Sequence, residues 1–164
     1  DAAEKAVQAK IDHLMNIKGK KSVDAIHKEL GKVMWEYVGM ARTKEGLETG
    51  LKKIAEIRKE FETNLFVPGS KEGLNVELDK AIRLNDFITM GSLIAYDALH
   101  RNESCGGHFR EEYQTEEGEA TRDDQNFFYV GCWQYQGDDS KAPELTKEPL
   151  KYEAIEVKTR NYKS

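Results

Sequence analysis

Two cysteines and three prolines in 164 residues leave this chain with little covalent or steric punctuation. Cys105 and Cys132 do not make a disulfide framework, and the two thiols read as reduced, as in a cytosolic protein. No apolar run approaches the roughly 20 residues needed to span a bilayer, so direct membrane insertion is not expected. No signal peptide opens the chain. Positive charge is not in excess either. Lys and Arg number 25 against 30 Asp and Glu, a net charge of -5, so no basic face dominates and a nucleic-acid role is not expected. Neither G-x-G-x-x-G nor G-x-x-x-x-G-K-[ST] occurs, and without such a loop no phosphate cradle for a nucleotide can be argued.

What is present is helical periodicity. Ala3, Val7, Ile11 and Leu14 form one stripe at helical spacing, which predicts a first helix over 2–17, ended by Gly19 among Lys18, Lys20 and Lys21. Ser22 reads as an N-cap for a second helix that turns Ile26, Leu30, Val33, Met34, Tyr37 and Val38 inward and ends near Ala41 or Arg42. Thr43 caps a third, with Leu47, Leu51, Ile54, Ile57, Phe61 and Leu65 at alternating steps of three and four, the pattern of a bundle helix. Pro68-Gly69-Ser70 is a break. A fourth helix is predicted from about Leu74 to Leu99 or His100. Its second half, from Phe87 on, is apolar nearly all round, so it calls for burial on every side and for a neighbour beyond the other helices. The chain starts at Asp1 with the helical pattern running by Ala3, which reads as a truncated start of a larger soluble protein.

From Arg101 the helical period stops. Residues 101–124 contain Gly106-Gly107, Gly118 and six acidic residues between Glu103 and Glu119, a long loop of the kind that is often functional or interfacial. Two strands follow, an aromatic one over 126–135 and an alternating one over 150–162, with 137–140 as the turn between them. Within the loop, Cys105-Gly-Gly-His108 is half of a zinc site, but only His100 and Cys132 could complete it and no second close pair exists. A Cys/His nucleophile pair would need an oxyanion hole and an orienting group that the sequence does not supply. The mix of Arg101, Glu103, His108, Arg110, Glu111, Glu112, Arg122, Asp123 and Asp124 fits internal pairing or docking against another domain better than catalysis, since no pocket-forming apolar context surrounds it. His13 and His27 lie on solvated helix faces. The aromatic strand around Trp133 reads as core packing rather than a base-stacking platform.

These residues also carry a resemblance. Arg101-Asn-Glu-Ser-Cys-Gly-Gly-His-Phe-Arg-Glu-Glu-Tyr113, followed by Arg122-Asp-Asp124, resembles the C-terminal signature R-x-E-S-R-G-A-H-x-R-x-D-[YF] and R-D-D of the succinate dehydrogenase/fumarate reductase flavoprotein subunit. Met40-Ala-Arg-Thr-Lys-Glu-Gly-Leu and Gly50-Leu-Lys-Lys-Ile are similar to that family's second and third bundle helices, and the likeness runs from about Ser22 to Tyr162. Cys105 departs from the family's usual Arg and Gly107 from its Ala, and the acidic stretch is longer than usual.

The resemblance implies a mainly α fold: an up-and-down three-helix bundle of spectrin-repeat-like type over 1–101, with an extra N-terminal helix, and a charged loop plus β-hairpin extension over 102–164. It implies a non-catalytic C-terminal domain, inactive alone and holding no cofactor itself. That domain would pack on the FAD-binding domain of the same chain and help present it to an iron–sulfur subunit, at the cytoplasmic face of a membrane reached through partner subunits. The parent would interconvert succinate and fumarate with electrons passed to or from quinone. No catalytic, cofactor-binding or metal residue maps onto this chain. The residues expected to act are the docking set Arg101, Glu103, His108, Arg110, Arg122 and Asp123. The other readings are a stand-alone helical interaction module and the helical tail of a related aspartate oxidase.

Overall fold

Four side-chain caps decide where the long helices begin. Asp1 accepts from the Ala3 N–H (3.2 Å), Ser22 Oγ from Ala25 (3.2 Å), Thr43 Oγ1 from Gly46 (3.0 Å) and Asn75 Oδ1 from Leu78 (3.0 Å). Each satisfies an N–H that has no partner within its helix. The helices they open are α1 (Ala2–Asn16), α2 (Val23–Val38), α3 (Lys44–Asn64) and α4 (Val76–His100). Two-residue strands β1 (Lys21–Ser22) and β2 (Leu65–Phe66) lie between them, and α5 (Asp124–Phe127), β3 (Tyr129–Gln134) and β4 (Glu144–Pro149) follow. The structure, a computed structural model, describes residues 1–137 and 141–158. These form two compact units, Asp1–Glu36 with Gly50–Ser92, and Tyr37–Thr49 with Leu93–Ser164. Among the described residues no helix is long and apolar enough to cross a membrane.

In the first unit the contacts fix an up-down-up bundle. Lys21 pairs with Glu29 (2.7 Å) and with Glu60, so α3 runs back along α2. Arg58 donates to Asn85 Oδ1 (2.5 Å) and to Thr89 Oγ1, which runs α4 back along α3. Lys80 meets Asp24 (3.2 Å), and the His27 ring stacks on Phe87 at 5.4 Å, so α4 lies parallel to α2. Ile26, Ile54, Ile57, Phe61, Ala81, Leu84 and Ile88 fill the space between them. Burying one such Ile, Leu or Phe side chain is worth roughly 1.5–3 kcal/mol, which makes this stripe the main stabilising term of the unit. Leu14 of α1 reaches the same core. The expected α1 stripe is half-buried at Ile11 and exposed from Val7 (55%) back to Ala3.

The turn from α1 into α2 is stitched to the end of α3. Gly19 N–H donates to Leu65 O and Lys20 N–H to Asn64 O, both at 3.0 Å, and β1 pairs with β2 in parallel. A Cβ on Gly19 would fall 1.9 Å from the Asn64 carbonyl oxygen, so only glycine fits.

Several expectations need correction. Helix α2 ends at Val38, three residues early, because Arg42 folds back and its Nε donates to the Val38 (3.1 Å) and Gly39 (2.9 Å) carbonyls. Leu65 leaves α3 and is buried in β2. Leu74, placed on the apolar face of α4, precedes that helix and is 97% exposed. Not corrected is the expectation that the other helices cover the second half of α4 only in part: Phe87 and Met90 are 47% and 54% exposed. Residues 126 and 127, expected to begin a strand, belong instead to one turn of helix, Asp124–Phe127, capped by Asp123. The second strand is Glu144–Pro149 rather than 150–162; 150–158 contain no strand, and 159–162 lie outside the described residues, as do 138–140 of the expected turn. The hairpin itself is present: β3 and β4 pair antiparallel from Tyr129↔Pro149 to Gln134↔Glu144.

Candidate functional site

The loop after α4, in the second unit, is built around a buried arginine. Helix α4 ends with carbonyls that have no partner within the helix. Arg110 Nη1 donates to two of them, Ala98 O at 2.8 Å and Leu99 O at 3.1 Å. Its Nε donates to Glu112 Oε2 (3.1 Å), and its guanidinium lies over the Tyr113 ring at 5.4 Å. Arg110 is 1% exposed, and the cation at the helix's negative end is favourably placed. Ser104, fully buried, brackets the Arg110 backbone: its Oγ accepts from Arg110 N–H (2.9 Å) and donates to Arg110 O (3.0 Å). Glu112 in turn accepts from the Lys44 N–H at the start of α3. Burial would raise the Glu112 carboxyl, but that N–H and Arg110 outweigh it and hold it below the usual carboxylate range.

The segment after α2 is tied to the same loop. Arg42 N–H donates to Phe109 O (3.1 Å) and Glu111 N–H to Arg42 O (2.9 Å). Arg42 Nη1 lies 2.8 Å from His108 Nδ1, and His108 Nε2 lies 2.9 Å from Arg101 O. A guanidinium only donates and a carbonyl only accepts. The ring is therefore the neutral tautomer with its proton on Nε2. Burial lowers the pKa of His108, and the cations of Arg42 and Arg110 act in the same direction, against the Arg101 carbonyl and Asp97. Cys105 and His108 exchange backbone bonds (2.8 and 3.0 Å) across a turn in which Gly106 takes φ +59, a conformation that favours glycine.

A third group joins the loop to the hairpin. Arg101 donates to Glu103 Oε1 (3.2 Å), Phe127 O (3.3 Å) and Tyr129 O (3.0 Å), and lies over both aromatic rings. Glu103, 3% exposed, accepts from Asp123 N–H through Oε2 at 2.9 Å. Asp123 then caps α5 through the Asn126 N–H (3.2 Å). Arg122 pairs with Asp124 Oδ1 at 2.5 Å. An open cavity of about 830 Å³ beside this group is lined by Asp97, His100, Arg101, Trp133 and Lys147, with Trp133 Nε1 donating to Asp97 (2.6 Å).

Of the six residues singled out in the sequence, Arg101, Glu103 and Asp123 form one connected chain. His108 joins it through the Arg101 carbonyl, Arg110 anchors the loop to α4, and Arg122 pairs with its own neighbour. Sequence reasoning missed Arg42, Ser104 and Asp97. Arg42 carried a signal, since a cation just past a helix end is a C-cap candidate, and Ser104 is the serine of the R-x-E-S signature; Asp97 carried none. The hydrogen bonds of this arrangement run largely to backbone atoms and so position the loop. Both His108 nitrogens are engaged, and Cys105 and Cys132 are exposed thiols. Among the described residues no group of three or more His, Cys, Asp or Glu is placed to hold a metal ion. Arg42, Arg101 and Arg110 direct donors to carbonyls, His108 and carboxylates of their own unit.

The family described as fumarate reductase flavoprotein C-term matches residues 27–162. An uncharacterized FAD-dependent oxidoreductase of Methanocaldococcus jannaschii is 33% identical over 111 residues, covering 68% of this chain and 20% of that protein. The fumarate reductase flavoprotein subunit of a Serratia species is 32% identical over 127 residues, 77% of this chain and 20% of that protein. A quinol-fumarate reductase solved with menaquinol molecules superposes with a TM-score of 0.77 at 26% identity, over 94% of this chain and 26% of that one. The chain thus spans about a fifth of the length of the curated relatives it matches.

Proposed function

The chain belongs to the fumarate reductase flavoprotein C-terminal family, a family of FAD-dependent flavoproteins, and on that premise we propose that it is a non-catalytic, docking domain of a succinate dehydrogenase/fumarate reductase flavoprotein subunit. It packs on the FAD-binding domain and helps present it to an iron–sulfur subunit. The parent interconverts succinate and fumarate with electrons passed to or from quinone, peripheral to the cytoplasmic face of a membrane. The match over 27–162 favours this reading over a stand-alone interaction module.

The observation that carries the proposal is the internal satisfaction of the loop. Arg101, Glu103, His108 and Arg110 direct their polar atoms to backbone and side chains of their own unit, so they shape a surface and leave no acid, base or nucleophile aimed at a substrate. Functionally the chain divides at residue 101, with helices before it as scaffold and the 102–164 extension as docking element. In that division Arg101, Glu103, His108, Arg110, Arg122 and Asp123 set the form of the docking face. Exposed apolar side chains, among them Trp35 (86%) and Met40 (89%), offer further surface for a neighbour.

The test has two arms. The purified chain is expected to be colourless and inactive toward succinate; bound flavin or succinate oxidation would refute the proposal. In a full-length subunit carrying this sequence, Arg101→Ala or His108→Ala is expected to lower flavin content while leaving the KM for succinate unchanged. Full flavin content with a raised KM would contradict it.

A further inference from the structure

The ring of His108 joins two stretches of chain far apart in sequence, and both of its nitrogens are committed. Arg42 Nη1 donates to Nδ1 (2.8 Å), and Nε2 donates to Arg101 O (2.9 Å). The Arg42 side chain has little room to retreat, because its Nε is fixed on the Val38 and Gly39 carbonyls. A proton on Nδ1 would set an N–H and a positive charge against a guanidinium that has nothing to accept with. The tie therefore holds only while the imidazole is neutral. The charged groups acting on the ring are Arg42 from the segment after α2, Arg110 from the same loop, and Asp97 from α4. Two cations oppose protonation and one carboxylate favours it. Behind this bond the join between the two stretches includes Arg42 N–H to Phe109 O, Glu111 N–H to Arg42 O, and Lys44 N–H to Glu112.

We propose that His108 is a proton-operated latch: neutral, it clamps the 101–112 loop to the segment carrying Arg42, and protonated, it releases that segment by local opening while the helices stay folded. Acidity of the surrounding medium is thereby converted into mobility of one loop. The latch is a property of the chain itself and holds whether or not the docking proposal does. The opening reaction takes up one proton once the pH is below the ordinary histidine value of about 6.5, so its equilibrium constant grows with a limiting slope of about tenfold per pH unit.

Two measurements on the whole chain test this. Nitrogen NMR of the ring above pH 7 is expected to report Nε2 protonated and Nδ1 bare; the opposite tautomer would overturn the latch. Amide exchange at Arg42 and Glu111, corrected for the intrinsic dependence on hydroxide, is expected to accelerate as pH falls from 7 to 5, approaching tenfold per unit, while amides in α3 and the first half of α4 keep their protection. In His108→Gln the acceleration is expected to vanish. Unchanged protection in the wild-type chain, or the same acid slope in His108→Gln, would overturn the proposal. If His108→Gln does not fold, the ring tautomer and the wild-type exchange profile decide alone.

Discussion

Replacing Arg110 by methionine keeps most of the buried stem and removes the donors. The structure then leaves the Ala98 and Leu99 carbonyls without the bonds at 2.8 and 3.1 Å, and Glu112 without its Nε partner. An unpaired buried acceptor costs about 1–3 kcal/mol. Ala98 is 1% exposed and takes the upper part of that range, while Leu99 is half-buried and takes the lower. Glu112 adds little, since its side chain is 39% exposed and water replaces the partner. Against this, a buried guanidinium no longer has to be desolvated, so the net loss for Arg110→Met comes to ~2–4 kcal/mol. Arg110→Lys retains a cation able to reach one carbonyl but not the planar fork, and is expected to lose ~1–2 kcal/mol. Arg110→Ala adds a cavity and should be the worst of the three. The assay is urea unfolding followed by Trp133 fluorescence in a Trp35→Phe background, with unchanged m-values as the check on a common mechanism. If Arg110→Met costs less than about 1 kcal/mol, or Arg110→Lys is as damaging as Arg110→Met, the carbonyl-capping argument is wrong.

Gly19→Ala forces a methyl to within 1.9 Å of the Asn64 oxygen, so the β1–β2 stitch must part; a fall in Tm of roughly 5–10 °C is expected by calorimetry. Stability should also depend on pH through His108, whose pKa is lowered in the fold by burial and by Arg42 and Arg110. The unfolded chain takes up a proton that the folded chain resists, so stability is greatest above about pH 6.5 and is lost as pH falls below that, through the lowered value; urea midpoints at several pH values, compared with His108→Gln, should show a smaller acid loss in the variant. Met90→Glu replaces a side chain that is 54% exposed, so thermal stability of the chain should change little, whereas pull-down of a co-expressed flavin-binding domain of the same subunit should weaken.

How legible the fold was depended on where each signal resides. Helix starts were readable because Ser22 and Thr43 carry their caps in their own sequence, and the α3 face was readable because Ile54, Ile57 and Phe61 repeat at bundle spacing. The second strand was misplaced because Glu144–Pro149 is polar and ends in proline, whereas 150–157 alternates Tyr152, Ile155 and Val157 as an edge strand would; these three are exposed, by 48%, 66% and 38%. Pairing with β3 decides which segment forms the strand, and pairing is not a local property. The charged loop was recognised as a unit, but its partners were not. Asp97 sits in an otherwise apolar stretch and bonds to Trp133 36 positions away, and Arg42 finds His108 66 positions on. Nothing local records either distance.

Arg110 also bears on how the chain can be cut or synthesised. The residue that closes the last turn of α4 lies ten positions beyond its end. A ribosome releases the whole helix before it releases the cap, and the final turn waits, frayed, until the loop through Glu112 has emerged. A dissection at residue 101, where the helical pattern stops, would cut between the helix and its stopper. The smallest piece expected to keep α4 intact to His100 therefore includes at least residues 101–112.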